Sequence, residues 1–193
     1  MERNMLRKEK IRARESLSAA EREALSERIS RRILDSEEYR QAETLLIYKG
    51  VRGEVRLDVL EKAAAAEGKR LAYPLCVGPG EMIALAADPL DESAWTKGAY
   101  GILEPVRERA EEIAPEDIDL VICPCTAFDE AYGRMGMGAG YYDRYLTQCG
   151  GAAVAAAAFE AQKAERVPME PWDRAMDMVF TENRVYRNKI QGE

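Results

Sequence analysis

Histidine is absent from the 193-residue sequence. That absence removes Ser-His-Asp and Cys-His catalysis and every histidine-ligated metal centre. Chemistry in such a chain has to run on carboxylates, Lys, Arg, Tyr, backbone amides or a bound metal. Phosphoryl transfer fits this inventory, because it depends on positioning and charge neutralisation more than on a proton shuttle. A long apolar run is missing too. The longest candidate, Ala152 to Phe159, is mostly alanine and far too short to span a membrane. The basic N-terminal segment lacks the apolar stretch of a signal peptide. Cysteine is scarce, with four residues and no C-x-x-C pair, which predicts reduced thiols in a cytoplasmic protein. An excess of positive charge is also lacking. The formal net charge of −7 argues against nucleic acid or an anionic membrane as a partner.

The chain is long enough for one domain with a sizeable core, and no repeat, low-complexity linker or boundary divides residues 1–193. Its 47% hydrophobic and 33% charged residues give an ordinary globular balance. Basic residues nevertheless concentrate at the start, where Arg3, Arg7, Lys8, Lys10, Arg12 and Arg14 face only Glu2 and Glu9. Such a segment is either a local anion site or a solvated helix face.

Residues 4–15 read as a charged helix. Ser18 and Glu21 form a capping box, and the helix they open carries Leu25, Ile29 and Ile33 at four-residue spacing. Strands are predicted at Thr44–Tyr48, Leu71–Cys76, Met82–Ala86, Asp119–Cys123, Ala153–Phe159 and Met178–Thr181. Helices are predicted at Asp58–Glu67, stopped by Gly68, and at Tyr141–Cys149. Alternating strands and helices imply an α/β domain with a largely parallel sheet. Ligands of such sheets sit beyond the carboxyl ends of the strands. The loops after Tyr48, Cys123 and Phe159 are therefore where a site is expected.

The segment from Gly133 to Gly140 holds four glycines in eight residues and runs into a helix. Glycines let backbone N–H groups approach an anion closely, and Arg134 can add a forked contact to phosphate. Asp143 falls in the first helical turn, where it could hold Mg²⁺ against a nucleotide or merely complement the helix dipole. A phosphate loop and a structural turn are both open on this pattern alone. It is not a Walker A sequence. Glu160, twenty residues past Gly140, would suit a dinucleotide-binding unit. The glycine spacing G-x-G-x-G and the long gap after the strand weigh against that reading. Cys123 and Cys125 are one residue apart, wrong for a zinc knuckle or a redox pair. Glu54 is either a site carboxylate at a strand end or a helix N-terminal charge. Asp173 and Asp177 could share a helical face or be surface charges.

Together the segments Pro124–Asp129 and Gly133–Arg144 (GRMGMGAGYYDR) resemble the 5-formyltetrahydrofolate cyclo-ligase family. Further similarity covers MLRKEKIRARESLS, IYKGVRGEV, YGILEP, FEAQKAERVPMEPWD and VFTE. The resemblance implies a three-layer α/β/α sandwich. It implies ATP- and Mg²⁺-dependent closure of 5-formyltetrahydrofolate to 5,10-methenyltetrahydrofolate, with ADP and phosphate released; a monomer is expected. By position, Arg3, Asn4, Met5, Leu6 and Arg7 would meet ATP. Arg134, Met135, Gly136, Met137, Gly138, Ala139, Gly140, Tyr141 and Tyr142 would form the nucleotide loop, with Arg134 and Tyr142 catalytic. Lys49, Glu54 and the stretch from Met137 to Tyr141 would contact the folate, and Asp143 and Asp173 would hold the metal. The chain departs from the family pattern at Cys125 (usually glycine), Met135 (leucine) and Arg3 (lysine). It departs again at Lys49-Gly50 (a small polar residue), Leu57 (threonine) and Trp172 (often histidine).

Overall fold

The structure is a computed structural model and describes residues 2–98 and 101–188. Tyr100, the first residue of the YGILEP stretch, lies outside the described residues. The elements in chain order are α1 (Glu2–Glu15), α2 (Ala19–Leu34), α3 (Glu37–Gln41), β1 (Thr44–Leu46), α4 (Asp58–Ala66), β2 (Arg70–Gly78), β3 (Glu81–Ala86), β4 (Trp95–Lys97), β5 (Leu103–Pro105) and β6 (Glu111–Ile113). They continue with β7 (Leu120–Pro124), β8 (Ala127–Phe128), β9 (Arg134–Met135), α5 (Tyr141–Tyr145), β10 (Ala153–Ala157), β11 (Met178–Phe180) and β12 (Val185–Arg187).

Among the described residues, eight strands form one sheet in the order β12-β11-β10-β7-β1-β2-β3-β6. The central run from β11 to β2 is parallel, and antiparallel strands close both edges. The buried residues alternate faces with the period of two that a strand imposes. Leu45, Leu120, Ile122, Ala155 and Ala157 pack on one face with Ile29 and Ile33 of α2 and Leu60 and Ala64 of α4. Leu46, Val121, Cys123, Val154 and Ala156 pack on the other with Tyr145, Leu146 and Cys149. Helices thus cover both faces, as expected. Alanine-rich β10 is a full central strand, because small side chains suit a strand buried on both faces.

The Ser18 capping box forms, with Ser18 Oγ accepting the Glu21 N–H at 3.2 Å and Glu21 returning to the Ser18 N–H at 2.7 Å. Two expectations need correction. The helix over Tyr141–Cys149 ends at Tyr145, because the next N–H groups bond three residues back, at Thr147, Gln148 and Cys149, in tight turns. Asp173 and Asp177 share no helical face. The stretch between Pro168 and Asp177 is irregular, since Pro168 and Pro171 remove backbone donors there. The Asp177 carboxylate instead accepts the Val154 N–H at 2.8 Å, across to β10.

Candidate active site

From β1 the chain crosses through α4 to β2 on one side, and later it returns to β7 on the other side of β1. Connections diverge between β1 and β7, so a crevice opens beyond their carboxyl ends. A cavity of about 940 Å³ lies there. Its lining joins segments far apart in sequence: the start of α1, the loop after β1, the β2–β3 hairpin, the glycine loop, α5 and the loop holding Trp172 and Asp173.

The glycine loop is shaped by its close neighbours. At Gly138, φ is +103°, and a Cβ would sit 3.1 Å from Nη2 of Arg7. Gly140, with φ +70°, turns the chain into α5. Both need the left-handed conformations that glycine adopts without strain. Arg134 is buried, its Nη2 donating to Oδ1 of Asp143 at 2.8 Å and its Nη1 to the Pro124 carbonyl at 3.3 Å. Its Nε has no partner among the described residues. Arg144, unforeseen from the sequence, ties the loop to the β2–β3 hairpin by donating to the carbonyls of Ala139 and Gly80.

Helix α1 lies across this end of the sheet, packed against β8 and the turn at Glu160–Gln162. Arg3 donates to Oδ2 of Asp173 at 2.6 Å and to the Pro168 carbonyl at 2.8 Å. Arg7 donates from Nε to the Gly136 carbonyl at 3.0 Å. Burial and the neighbouring Arg3 charge lower the pKa of Arg7, so an anion here would be well received.

Glu54 is not a helix N-terminal charge, since α4 begins at Asp58. Its Oε2 accepts the Val51 N–H at 3.1 Å, and its Oε1 faces the guanidinium of Arg14 at 3.8 Å. Burial raises its pKa, opposed by the Val51 N–H and by Arg14 and Arg52. Lys49 is held by Oε2 of Glu61 at 2.8 Å and sits 4.4 Å from the Trp95 ring centroid. Burial pushes the Cys123 and Cys125 thiols up to about 12, so both behave as small apolar groups. The carboxylate of Glu160 takes the Tyr186 hydroxyl and lies outside the cavity lining, which leaves the dinucleotide layout without its ribose-binding acid.

Of the residues singled out in the sequence, Arg3, Arg7, Lys49, Glu54, Arg134, Tyr142, Asp143, Asp173 and the run from Gly136 to Tyr141 all line the one cavity. Asn4, Met5, Leu6 and Met135 do not. Asn4 accepts from Arg7, Met5 points to solvent, and Leu6 packs on the cluster that buries Met135 with Ala127, Ala164 and Val167. From the sequence, Arg14 stands only within the basic start and Tyr48 only at a strand end, and neither is assigned to the site. Arg14 had a readable signal, because spacings of four and seven put Arg3, Arg7 and Arg14 on one helical face.

The chain matches the family model of the 5-formyltetrahydrofolate cyclo-ligase family over residues 1–182. It is 25% identical over 173 residues to a 5-formyltetrahydrofolate cyclo-ligase of Haemophilus influenzae, covering 89% of this chain and 92% of that protein. The mouse 5-formyltetrahydrofolate cyclo-ligase is 27% identical over 188 residues, covering 91% and 90% of the two chains. The NMR structure of Aquifex aeolicus 5,10-methenyltetrahydrofolate synthetase superposes with a TM-score of 0.87 at 32% identity. That match covers 100% of this chain and 96% of the other.

Proposed function

Because this chain belongs to the 5-formyltetrahydrofolate cyclo-ligase family, we propose that its cavity binds ATP and 5-formyltetrahydrofolate side by side and closes the folate to 5,10-methenyltetrahydrofolate. The protein is an ATP-dependent ligase. The observation behind the two-substrate reading is the mixed lining of one cavity. One set of lining residues is Arg3, Arg7, Arg134 and the glycine loop, and another is the apolar group Tyr73, Pro74, Met82, Ile102 and Leu103. The first suits a polyphosphate and the second a flat, largely apolar ring system.

In the proposed reaction the formyl oxygen takes the γ-phosphoryl group of ATP. N10 of the folate then attacks the activated carbon, and phosphate leaves. Catalysis is chiefly positioning and charge stabilisation. Arg134, oriented by Asp143 and the Pro124 carbonyl, stabilises the transferring phosphoryl oxygens. Burial holds the Tyr142 pKa well above its ordinary value, so its hydroxyl acts as a donor rather than a base. Arg3 and Arg7 hold the polyphosphate from α1. Glu54 orients the folate by accepting from ring N–H groups.

The donor set also suits Mg²⁺. Asp143 and Asp173 both line the cavity, and each gives only one carboxylate oxygen, Oδ1 and Oδ2 respectively, to an arginine. Magnesium prefers one or two carboxylates plus phosphate and water oxygens. When bound it would neutralise charge on the nucleotide phosphates. The four free cysteines and the net charge of −7 support a cytoplasmic protein that does not bind nucleic acid. No helix of the described residues is long and apolar enough to cross a membrane. We read residues 1–193 as one domain working as a monomer.

The test is the absorbance of methenyltetrahydrofolate, followed with 5-formyltetrahydrofolate and Mg-ATP supplied together and singly. Product is expected only with both. Equal product without ATP, or none while ATP is hydrolysed with another substrate, would sink the assignment.

A further inference from the structure

Tyr48 lies two residues past the end of β1, beside the point where the connections diverge. It lines the cavity, yet it is only 4% exposed. Its hydroxyl makes no hydrogen bond among the described residues. A buried hydroxyl without a partner costs on the order of 1–3 kcal/mol. Phenylalanine would fill the same volume without that cost, so the hydroxyl contributes nothing evident to folding.

The charged and titratable groups acting on Tyr48 are Glu54 and Arg14, the hydroxyl of Tyr142 and the thiol of Cys125. None of them accepts its proton in a hydrogen bond. Glu54 accepts the Val51 N–H on Oε2 and turns Oε1 toward Arg14, and neither oxygen takes a hydrogen bond from Tyr48. The Cys125 thiol is directed to the Ala127 carbonyl at 3.2 Å. The Tyr142 hydroxyl has no partner either, so the acceptor for Tyr48 is left to whatever enters the cavity next to Glu54. Together, Glu54 and Tyr48 offer one acceptor and one donor, the complement of a ligand edge that carries an N–H beside a carbonyl.

We propose that Tyr48 donates its phenolic O–H to a carbonyl oxygen of the bound reduced folate and so helps to select and orient that substrate. This rests on the cyclo-ligase reading of the cavity. Tyr48 exchanges no proton. Burial first, and then the Glu54 charge, keep the phenol protonated far above neutral pH, so it acts as a fixed donor. Two oxygens of 5-formyltetrahydrofolate fit this chemistry, the ring 4-oxo group and the formyl oxygen. They differ in what happens to them. The ring carbonyl is unchanged in the reaction, whereas the formyl oxygen is the atom that takes the phosphoryl group.

The experiment is Tyr48→Phe, with steady-state kinetics in both substrates, thermal unfolding, and calorimetric titration of 5-formyltetrahydrofolate. The expected result is a fall of about tenfold in kcat/KM for the folate, the loss of one hydrogen bond. KM for ATP stays within about twofold, and Tm is equal or higher. A loss confined to KM and the calorimetric Kd assigns the ring carbonyl, and a loss in kcat assigns the formyl oxygen. Folate kcat/KM within about twofold of wild type would overturn the proposal. So would a lowered Tm with equal losses toward both substrates, the mark of a structural role. If the wild type forms no methenyl product, the cyclo-ligase reading fails, and the titration still decides Tyr48 on its own. Equal folate affinity in wild type and variant would then reject it.

Discussion

Asp143 and Asp173 show how much of a residue's role is set by its partner. Each carboxylate is largely buried, with side-chain exposures of 17% and 4%, and each is oriented by an arginine from another segment. Replacing either by asparagine keeps the shape and removes the charge that would offset Mg²⁺. Asp143→Asn and Asp173→Asn are each expected to lower kcat by about 100-fold or more with an unchanged circular dichroism spectrum. Turnover near the wild-type rate with the same Mg²⁺ requirement would make both ordinary charges. Glu54 gives a prediction of another kind. Its pKa is raised by burial, so the fold favours the protonated carboxyl. That contribution to stability is fully present below the unfolded-state pKa and is lost as pH rises through the folded one. On the proposed reading the folate is held by the carboxylate, so activity should run the opposite way. The acid limb of kcat/KM for the folate should therefore lie above the ordinary glutamate value of about 4.3. In Arg14→Met one of the opposing influences is gone, and the limb should move to higher pH. A pH–rate profile that does not move in this variant would show that Arg14 does not tune Glu54.

Helix α1 would be hard to justify as a stable element by its own composition, since it is mostly charged and has only short apolar stretches. Its docking comes from a stripe of arginines. Arg3 reaches Asp173 and Pro168, Arg7 reaches Gly136, and Arg14 is fully buried, with its Nη1 3.4 Å from the Cys125 carbonyl and its charge opposite Glu54. Burial and the neighbouring Arg3 charge lower the pKa of Arg7, so this part of the cavity favours an anion. On the proposed reading a nucleotide would offset that charge, so Mg-ATP should stabilise the fold. At 100 times its Kd, Mg-ATP contributes about 2.7 kcal/mol. For a chain of this size that corresponds to a rise in Tm of about 5–10 °C. Arg7→Ala should remove most of this shift at the same ATP concentration. A thermal-shift titration checks it, and an equal rise in both proteins would exclude Arg7 from the nucleotide site. The contrast with α2 is instructive. There an apolar stripe and a complete capping box specify the helix locally, with no help from the site.

At the scale of the whole molecule, the sequence alone determined the alternation of strands and helices, the capping box at Ser18 and Glu21, and the glycine loop with Arg134 and Asp143 close behind it. Its lack of histidine excluded histidine-dependent catalysis as well. These features are local: they depend on neighbours within one or two turns, on hydrophobic period, or on composition, all of which a linear reading preserves. The short edge strands β6 and β12 were invisible because three residues of mixed polarity carry no periodic signal and become strands only when a sheet edge offers hydrogen bonds. The strand order, with its divergence between β1 and β7, was decided by packing, and it is this divergence that opens the cavity. Tertiary structure alone brought Asp173 to Arg3 across 170 residues, buried Arg14 against Glu54, and buried the Tyr48 hydroxyl in the cavity wall with no partner among the described residues. It also withdrew Met135 from the site, because the two-residue strand β9 turns that side chain into the core while Arg134 beside it reaches Asp143. Such pairings depend on which surfaces meet when the layers close around the sheet. No spacing along the chain encodes that contact, and only the folded arrangement supplies it.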